Sequence, residues 1–387
     1  MPVVTAYNAF PMTVADNILV YRDRIVPRSE VHFLRRLYLA FDRLRPVWIG
    51  RHKGDGLAEL GYAPLFLGRS GPLGAIDRAL FKHLGRLPPV PDLRALKPRL
   101  VHAHFGRGGA LALPIARALK LPLVVHFHGG DATKETHYRK RLLPTIYQQR
   151  VEALKNEAAL IICVSDFIRQ QLLARGFPPD KLVVHRYGVE LEISLPADPP
   201  EPTARVLFAG RFVEKKGIGY LLEAMRRLER EPGELELVLV GDGPIADALK
   251  RQAAPLKRVS FAGWLPNAEL RRRMHGALAV CVPSVHAEDG DAEGLPNVVI
   301  EAMAAGAPVI GSRHAGIGEA VTHERTGLLV PPADAEALAA ALRRLRDEPK
   351  LRGALGAGAR QVAVAEFDAR VQSQRLQQRL LDIIEKA

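Results

Sequence analysis

The chain has 387 residues, 48% of them apolar and 25% charged, with a formal net charge of +13 at pH 7. That length exceeds what one hydrophobic core usually supports, so two domains are expected, while no apolar run approaches the roughly 20 residues that span a bilayer. The start lacks a charged-then-apolar signal segment, and Cys163 and Cys281 sit far apart in apolar runs, so a disulfide scaffold and a cysteine metal site are excluded and the cytoplasm is the expected compartment.

The charge is uneven. Residues 1 to 190 hold 29 Lys and Arg against 15 Asp and Glu, and residues 191 to 387 hold 26 against 27. An excess confined to one half attracts an anionic surface. No nucleic-acid reading motif accompanies it, so an anionic membrane surface is the expected partner.

Residues 28 to 45 place Val31, Leu34, Leu37, Tyr38, Phe41 and Leu44 at helical spacing, with Arg28, Arg35, Arg36, Arg43 and Arg45 between them. Residues 73 to 87 repeat the theme, with Ile76, Leu80, Phe81 and Leu84 beside Arg78, Lys82 and Arg86. A basic helix with an apolar face can lie in a headgroup layer, and both stretches are expected to do so. The bland alternative is that each packs its apolar face on the first sheet.

Strand-like runs follow at Leu100 to His104, Leu123 to His128, Ala159 to Val164 and Leu182 to His185, with helical stretches between them. Such alternation predicts a parallel sheet with crossovers. Leu195 to Thr203 carries four prolines and reads as a linker. The alternation then resumes at Val206 to Ala209, Leu235 to Val240, Val259 to Phe261, Leu278 to Val282, Val309 to Ser312 and Leu328 to Val330. Expected, therefore, are an α/β chain of two Rossmann-like domains, residues 1–190 and 204–365, a linker at 191–203 and a terminal helix within 366–387. Ligands of open parallel sheets bind beyond the carboxyl ends of the strands, so facing units share a cleft.

Four motifs fall at strand ends. His126-Phe127-His128-Gly129-Gly130-Asp131 sends both histidines to one face, and His102-Ala103-His104 has the same alternation. These spacings lack the company of a zinc site. Gly210-Arg211-Phe212-Val213-Glu214-Lys215-Lys216-Gly217 offers a guanidinium fork and a compact ammonium for phosphate oxygens. Gly241-Asp242-Gly243-Pro244-Ile245-Ala246 satisfies a dinucleotide fingerprint but is explained by a turn before a helix. Last comes Glu293-Gly294-Leu295-Pro296-Asn297-Val298-Val299-Ile300-Glu301, two glutamates eight apart, with Pro296 expected in the first turn of a helix. A helix start is an anion site, and a carboxylate beside it suits hydroxyls carried on a diphosphate. Glu301 lies among apolar residues and needs a partner.

The segment Glu293 to Ile310, with the acidic loop before it and the Glu319 segment after it, resembles the retaining glycosyltransferases of family 4, in style most like exopolysaccharide and colanic-acid members. The resemblance implies the GT-B fold, with a terminal helix crossing back to the first domain. It also implies metal-independent transfer of a hexose from a nucleoside diphosphate sugar, UDP rather than GDP, to a hydroxyl of a glycan or lipid-linked acceptor, without a cofactor. It assigns Glu301 to the ribose, Glu293 to the transferred sugar, and Gly210, Arg211, Lys216 and the backbone of Gly294, Leu295, Pro296 and Asn297 to the diphosphate. Gly241 would line the nucleotide pocket, Gly263, Trp264 and Leu265 the base, His128 the sugar, and His104 and Asp131 the acceptor side; Lys215 receives no role. Where many relatives carry a glycine-rich loop after the first strand, Val3 to Met12 here has no paired glycines. A sugar-nucleotide epimerase of the same fold and a non-catalytic sugar-nucleotide binder are the competing readings.

Overall fold

The computed structural model describes residues 16–26, 32–55, 57, 63–138, 144–191 and 204–387. The first domain contributes β1 (Asp16–Tyr21), β2 (Arg24–Ile25), β3 (Leu44–Gly50), β4 (His52–Lys53), β5 (Leu65–Phe66), β6 (Leu100–His104), β7 (Leu123–Phe127), β8 (Leu160–Cys163) and β9 (Leu182–Val184). Seven of these form one sheet in the order β5-β3-β1-β6-β7-β8-β9, and β2 pairs with β4 apart from it. The second domain contributes β10 (Arg205–Ala209), β11 (Glu236–Val240), β12 (Val259–Gly263), β13 (Ala279–Val282), β14 (Val309–Ser312) and β15 (Gly327–Val330), in the order β12-β11-β10-β13-β14-β15. Every pairing is parallel.

Parallel strands covered on both faces need residues that tolerate burial throughout. β6, β7 and β13 are buried at every position. In the second domain Val206, Phe208, Leu237 and Leu239 pack on Leu221, Leu222, Met225, Leu338 and Leu342 of the flanking helices. Each such side chain contributes roughly 1.5–3 kcal/mol relative to exposure. The strand order reverses between β1 and β6 in one sheet and between β10 and β13 in the other, and loops beyond the strand ends of the two domains meet, as where Gly129 lies against Gly294.

The terminal helix, Ala369–Lys386, is capped by Asp368, whose side chain accepts from the backbone N–H of Arg370 and Val371. It crosses back to the first domain as expected. Gln377 Oε1 accepts from the backbone N–H of Asp42, Arg43 and Leu44, and Ser373 Oγ accepts from Ala40 N. Cys163 and Cys281 are buried free thiols.

One expectation for the first domain is corrected. A single basic helix is expected over residues 28–45; of these, residues 32–45 are described, and they form the short helix His32–Arg36, turns, and then β3, which begins at Leu44. Leu34, Leu37, Tyr38, Phe41 and Leu44 are buried in the core, so that face is unavailable to a membrane. The first described strand is β1, where Asp16 and Asn17 mask the apolar signal; Val3 to Met12 lie outside the described residues. The second amphipathic stretch does form a helix, Gly71–Leu84. It turns Gly74, Asp77 and Phe81 inward and leaves Leu73, Ile76 and Leu84 at least half exposed. Among the described residues no helix is long and apolar enough to cross a membrane.

Candidate active site

The second domain brings charge to the cleft from three strand ends. The turn after β10 needs close backbone approach: a Cβ on Gly241 would sit 1.9 Å from the Gly210 carbonyl oxygen, so the turns after β10 and β11 can interlock only as glycines. Arg211 stands exposed on this turn and makes no ion pair among the described residues. Lys216 Nζ lies 3.0 Å from Glu293 Oε1. Lys215, for which the sequence suggested no role, belongs to the same cluster: its Nζ is 3.0 Å from Asp291 Oδ1 and 3.6 Å from Glu293 Oε1.

Glu293 is buried, and burial pushes its pKa up, but Lys216 and Lys215 outweigh that and hold it below the usual carboxylate range. Burial likewise opposes the charge on Lys215, while Glu293 and Asp291 outweigh it and raise its pKa. Lys134 of the first domain reaches Asp289 at 2.7 Å and Asp291 at 3.2 Å. The acidic loop is thus neutralised by three lysines.

The helix after Glu293 spans Asn297–Ala304, with Pro296 as its N-cap in extended conformation rather than inside the first turn. Gly294, Leu295 and Pro296 are buried, and a Cβ on Gly294 would meet the His128 carbonyl oxygen at 2.2 Å. The Gly294 carbonyl accepts from Gly316 N at 2.8 Å and from Ser165 Oγ at 3.3 Å. Glu319 crosses the cleft as well: its carboxylate accepts from the backbone N–H of Asp166 and Phe167, capping a first-domain helix, and pairs with Arg186.

The partner that Glu301 requires is Arg36, whose Nη1 donates to Oε1 at 2.8 Å. Arg36 is buried and also lies 3.4 Å from Glu190. Sequence reasoning placed Arg36 on a membrane-facing helix, because nothing in the local pattern shows a contact 265 residues away. Also missed were His286 and His314, which pack edge-on at 4.2 Å between ring centroids, with Phe167 of the first domain beside them. Burial, followed by His286, pushes His314 down to about 4. Gly263 is open at the end of β12, Trp264 beside it is 60% exposed, and Leu265 is half-buried.

Beside Lys134, Arg36 and Arg186, the first domain meets the cleft with a layer of histidines. His102, His104, His126 and His128 project from one face of β6 and β7, all buried. A hydrogen-bonded chain joins Tyr187 to His128 Nδ1, His128 Nε2 to His104 Nδ1 at 3.1 Å, His104 Nε2 to the Tyr38 hydroxyl at 2.6 Å, and that hydroxyl to His102 Nδ1 at 2.7 Å. Burial keeps all four rings neutral, lowering His102 to about 3 and the others well below the usual range. His128 therefore has both ring nitrogens committed within the domain and reaches a sugar only by giving one up. Asp131, expected on the acceptor side, is consumed locally: its carboxylate accepts from the backbone N–H of Gly106, His128 and Gly129. It shapes the turn that carries His128.

Two facing Rossmann-like units with this cleft define the GT-B architecture of glycosyltransferases. Residues 69–193 match the model described as Glycosyltransferase Family 4, and residues 203–348 the model described as Glycosyl transferases group 1. The two matches, one in each domain, mark a GT-B glycosyltransferase of the family 4 type. It is 37% identical over 254 residues to the amylovoran biosynthesis glycosyltransferase AmsK of Erwinia amylovora, covering 62% of this chain and 60% of that one. It is 33% identical over 225 residues to the lipopolysaccharide core biosynthesis glycosyltransferase LpsD of Rhizobium meliloti, covering 54% and 59% respectively. The match thus spans about three fifths of these relatives. The structure of Anabaena Alr3699/HepE in complex with UDP-glucose superposes with a TM-score of 0.76 at 21% identity, over 95% of this chain and 99% of that one.

Proposed function

We propose that the protein transfers a hexosyl group from a UDP-sugar, in preference to a GDP-sugar, to a hydroxyl of a glycan or lipid-linked acceptor, with retention of anomeric configuration, in the assembly of a cell-surface polysaccharide. The observation that carries this reading is Glu293, buried yet held ionised by Lys215 and Lys216, with Arg211 exposed on the same turn. A carboxylate fixed in this way accepts hydrogen bonds from sugar hydroxyls, while the cations meet the diphosphate. The amylovoran and lipopolysaccharide roles in the relatives' names, and the UDP-glucose held by the Anabaena structure, support the substrate classes.

In the transfer, Arg211 and Lys216 neutralise charge that grows on the leaving diphosphate, a stabilisation directed at the transition state. A leaving phosphate oxygen takes the acceptor proton as the acceptor oxygen bonds to the anomeric carbon on the face the diphosphate leaves. Glu301 binds the ribose hydroxyls alongside its bond to Arg36, the backbone of Gly294 to Asn297 holds the diphosphate, and Trp264 supplies an aromatic face for the base. No metal ion or cofactor is invoked at the donor, where Arg211 and Lys216 serve as the cations for the diphosphate.

The protein works at the cytoplasmic face of the membrane, with the helix Gly71–Leu84 as its contact. Leu73, Ile76 and Leu84 are exposed on a helix that also carries Arg78 and Lys82, with Arg86 just beyond it, and an anionic bilayer suits both the apolar and the basic residues. The test of the reaction is to incubate the protein with UDP-hexoses and a lipid-linked glycan acceptor. UDP release with an axial or equatorial product linkage matching the donor supports the reading, and an inverted linkage overturns retention.

A further inference from the structure

The histidine layer holds more than the sugar-facing His128. β6 and β7 pair with His104 opposite His126, and His102 lies two residues before His104 on the same face. Spacing along one strand gave no ligand set, but the neighbouring strand supplies the third ring. One ring nitrogen from each of His102, His104 and His126 lies within 4.8 Å of those of the other two. All three side chains have no solvent exposure. Neither ring nitrogen of His126, and not Nε2 of His102, has a hydrogen-bond partner among the described residues. Buried polar atoms in such a state normally find a partner.

We propose that His102, His104 and His126 bind a single transition-metal ion of the zinc class, bracing β6 to β7 beneath the floor of the cleft. Neutral imidazole is the ligating form and suits zinc, cobalt, nickel or copper ions rather than magnesium or calcium. With Zn–N bonds of about 2.1 Å, tetrahedral ligand nitrogens stand about 3.4 Å apart, a distance the three rings reach by small rotations. His102 ligates through Nε2 while its Nδ1 stays on the Tyr38 hydroxyl, the arrangement in which an outer partner orients a ligand. His126 has both nitrogens available. His104 gives up one of its bonds, to His128 or to Tyr38, and if it is the former, His128 Nε2 is released toward the cleft. Arg22 is the cation that opposes an ion near His104, and Asp131 offsets it. The site is separate from the donor chemistry, so its failure leaves the proposed transfer untouched.

The experiment uses the full chain, dialysed against a chelator and titrated with cobalt(II), then zinc(II). Expected are one equivalent of cobalt with the visible ligand-field bands of a nitrogen-rich tetrahedral site, displacement by zinc, and a higher melting temperature with zinc. The double variant His102→Gln/His126→Gln should lose all three responses. Because buried substitutions can disturb folding, X-ray absorption on the zinc-loaded natural chain provides a second reading, with a first shell containing three imidazoles. Absence of stoichiometric binding, a sulfur or carboxylate shell, or undiminished binding by a folded double variant would each overturn the site.

Discussion

The two domains meet the same cleft with opposite chemistry. On the second domain's side, lysines and carboxylates pair at strand ends, and Arg211 makes no ion pair among the described residues. On the first domain's side, the imidazoles are buried and neutral, with His102, His104 and His128 in one hydrogen-bonded chain that includes the Tyr38 and Tyr187 hydroxyls. A donor bearing a diphosphate requires permanent charge, whereas an acceptor hydroxyl needs orientation without a competing ion. The difference favours the second domain for the proposed donor and the first for the proposed acceptor.

The largest expected effect of this contrast is on acid stability. His102 and His185 are lowered to about 3 by burial, while an unfolded histidine titrates near 6.5. Between those values the unfolded chain binds more protons, so their stabilising contribution is complete above pH 6.5 and is lost as pH falls toward 3. By pH 5 each such histidine removes about 2 kcal/mol. The first domain should therefore unfold before the second on acidification. The two tryptophans separate the domains, since Trp48 stacks on His104 and Trp264 is exposed in the second domain. Fluorescence of the single-tryptophan variants against pH should show Trp48 reporting the earlier transition; simultaneous transitions would break the contrast.

Next in size are the donor cations. Arg211→Ala and Lys216→Ala should each lower turnover by ~10²–10³-fold, as for loss of a group that stabilises transition-state charge. Natural turnover in either variant would remove that residue from the site. Glu293→Ala should lower turnover more than donor affinity, and Glu301→Ala the reverse. Equal losses of nucleoside diphosphate affinity in the two, measured calorimetrically, would undo their separate assignments.

Smaller effects test the domain junction and the outer surface. Gln377→Ala leaves three backbone N–H groups of residues 42–44 without their acceptor and should cost about 1–3 kcal/mol, read as a lower urea midpoint. Ile76→Glu with Leu84→Glu should abolish flotation with anionic vesicles at low salt and spare turnover on a soluble acceptor. Flotation that survives would move the membrane contact elsewhere. Smallest of all is the expected response to added magnesium or manganese, which should leave turnover unchanged; restoration of lost activity by either would show that the acidic loop holds an ion.

The sequence disclosed most of the second domain because its strands are short, continuous apolar runs ending in glycine-bearing turns. β14 begins and ends where the pattern placed it, Lys216 meets Glu293, and Glu301 meets Arg36 of the first domain. The first domain was harder to read. β1 opens on Asp16 and Asn17, and helical spacing over residues 28–45 came from a short helix, a turn and a strand whose apolar residues all enter one core. Contacts distant in sequence were invisible: Arg36 with Glu301, Glu319 with the helix beginning at Asp166, and His126 beside His104. Lys215 was missed for another reason, since a Lys-Lys pair gives no sign of which member is buried.

The central claim is that the charged side of the cleft binds a nucleoside diphosphate. Its most direct test is the melting temperature of the protein with UDP, GDP and the corresponding monophosphates. Binding at a hundred times the dissociation constant adds about 2.7 kcal/mol of stability. The account predicts a clear upward shift with UDP, a smaller one with GDP, and loss of the UDP shift in Glu301→Ala. No shift with any nucleoside diphosphate would contradict it.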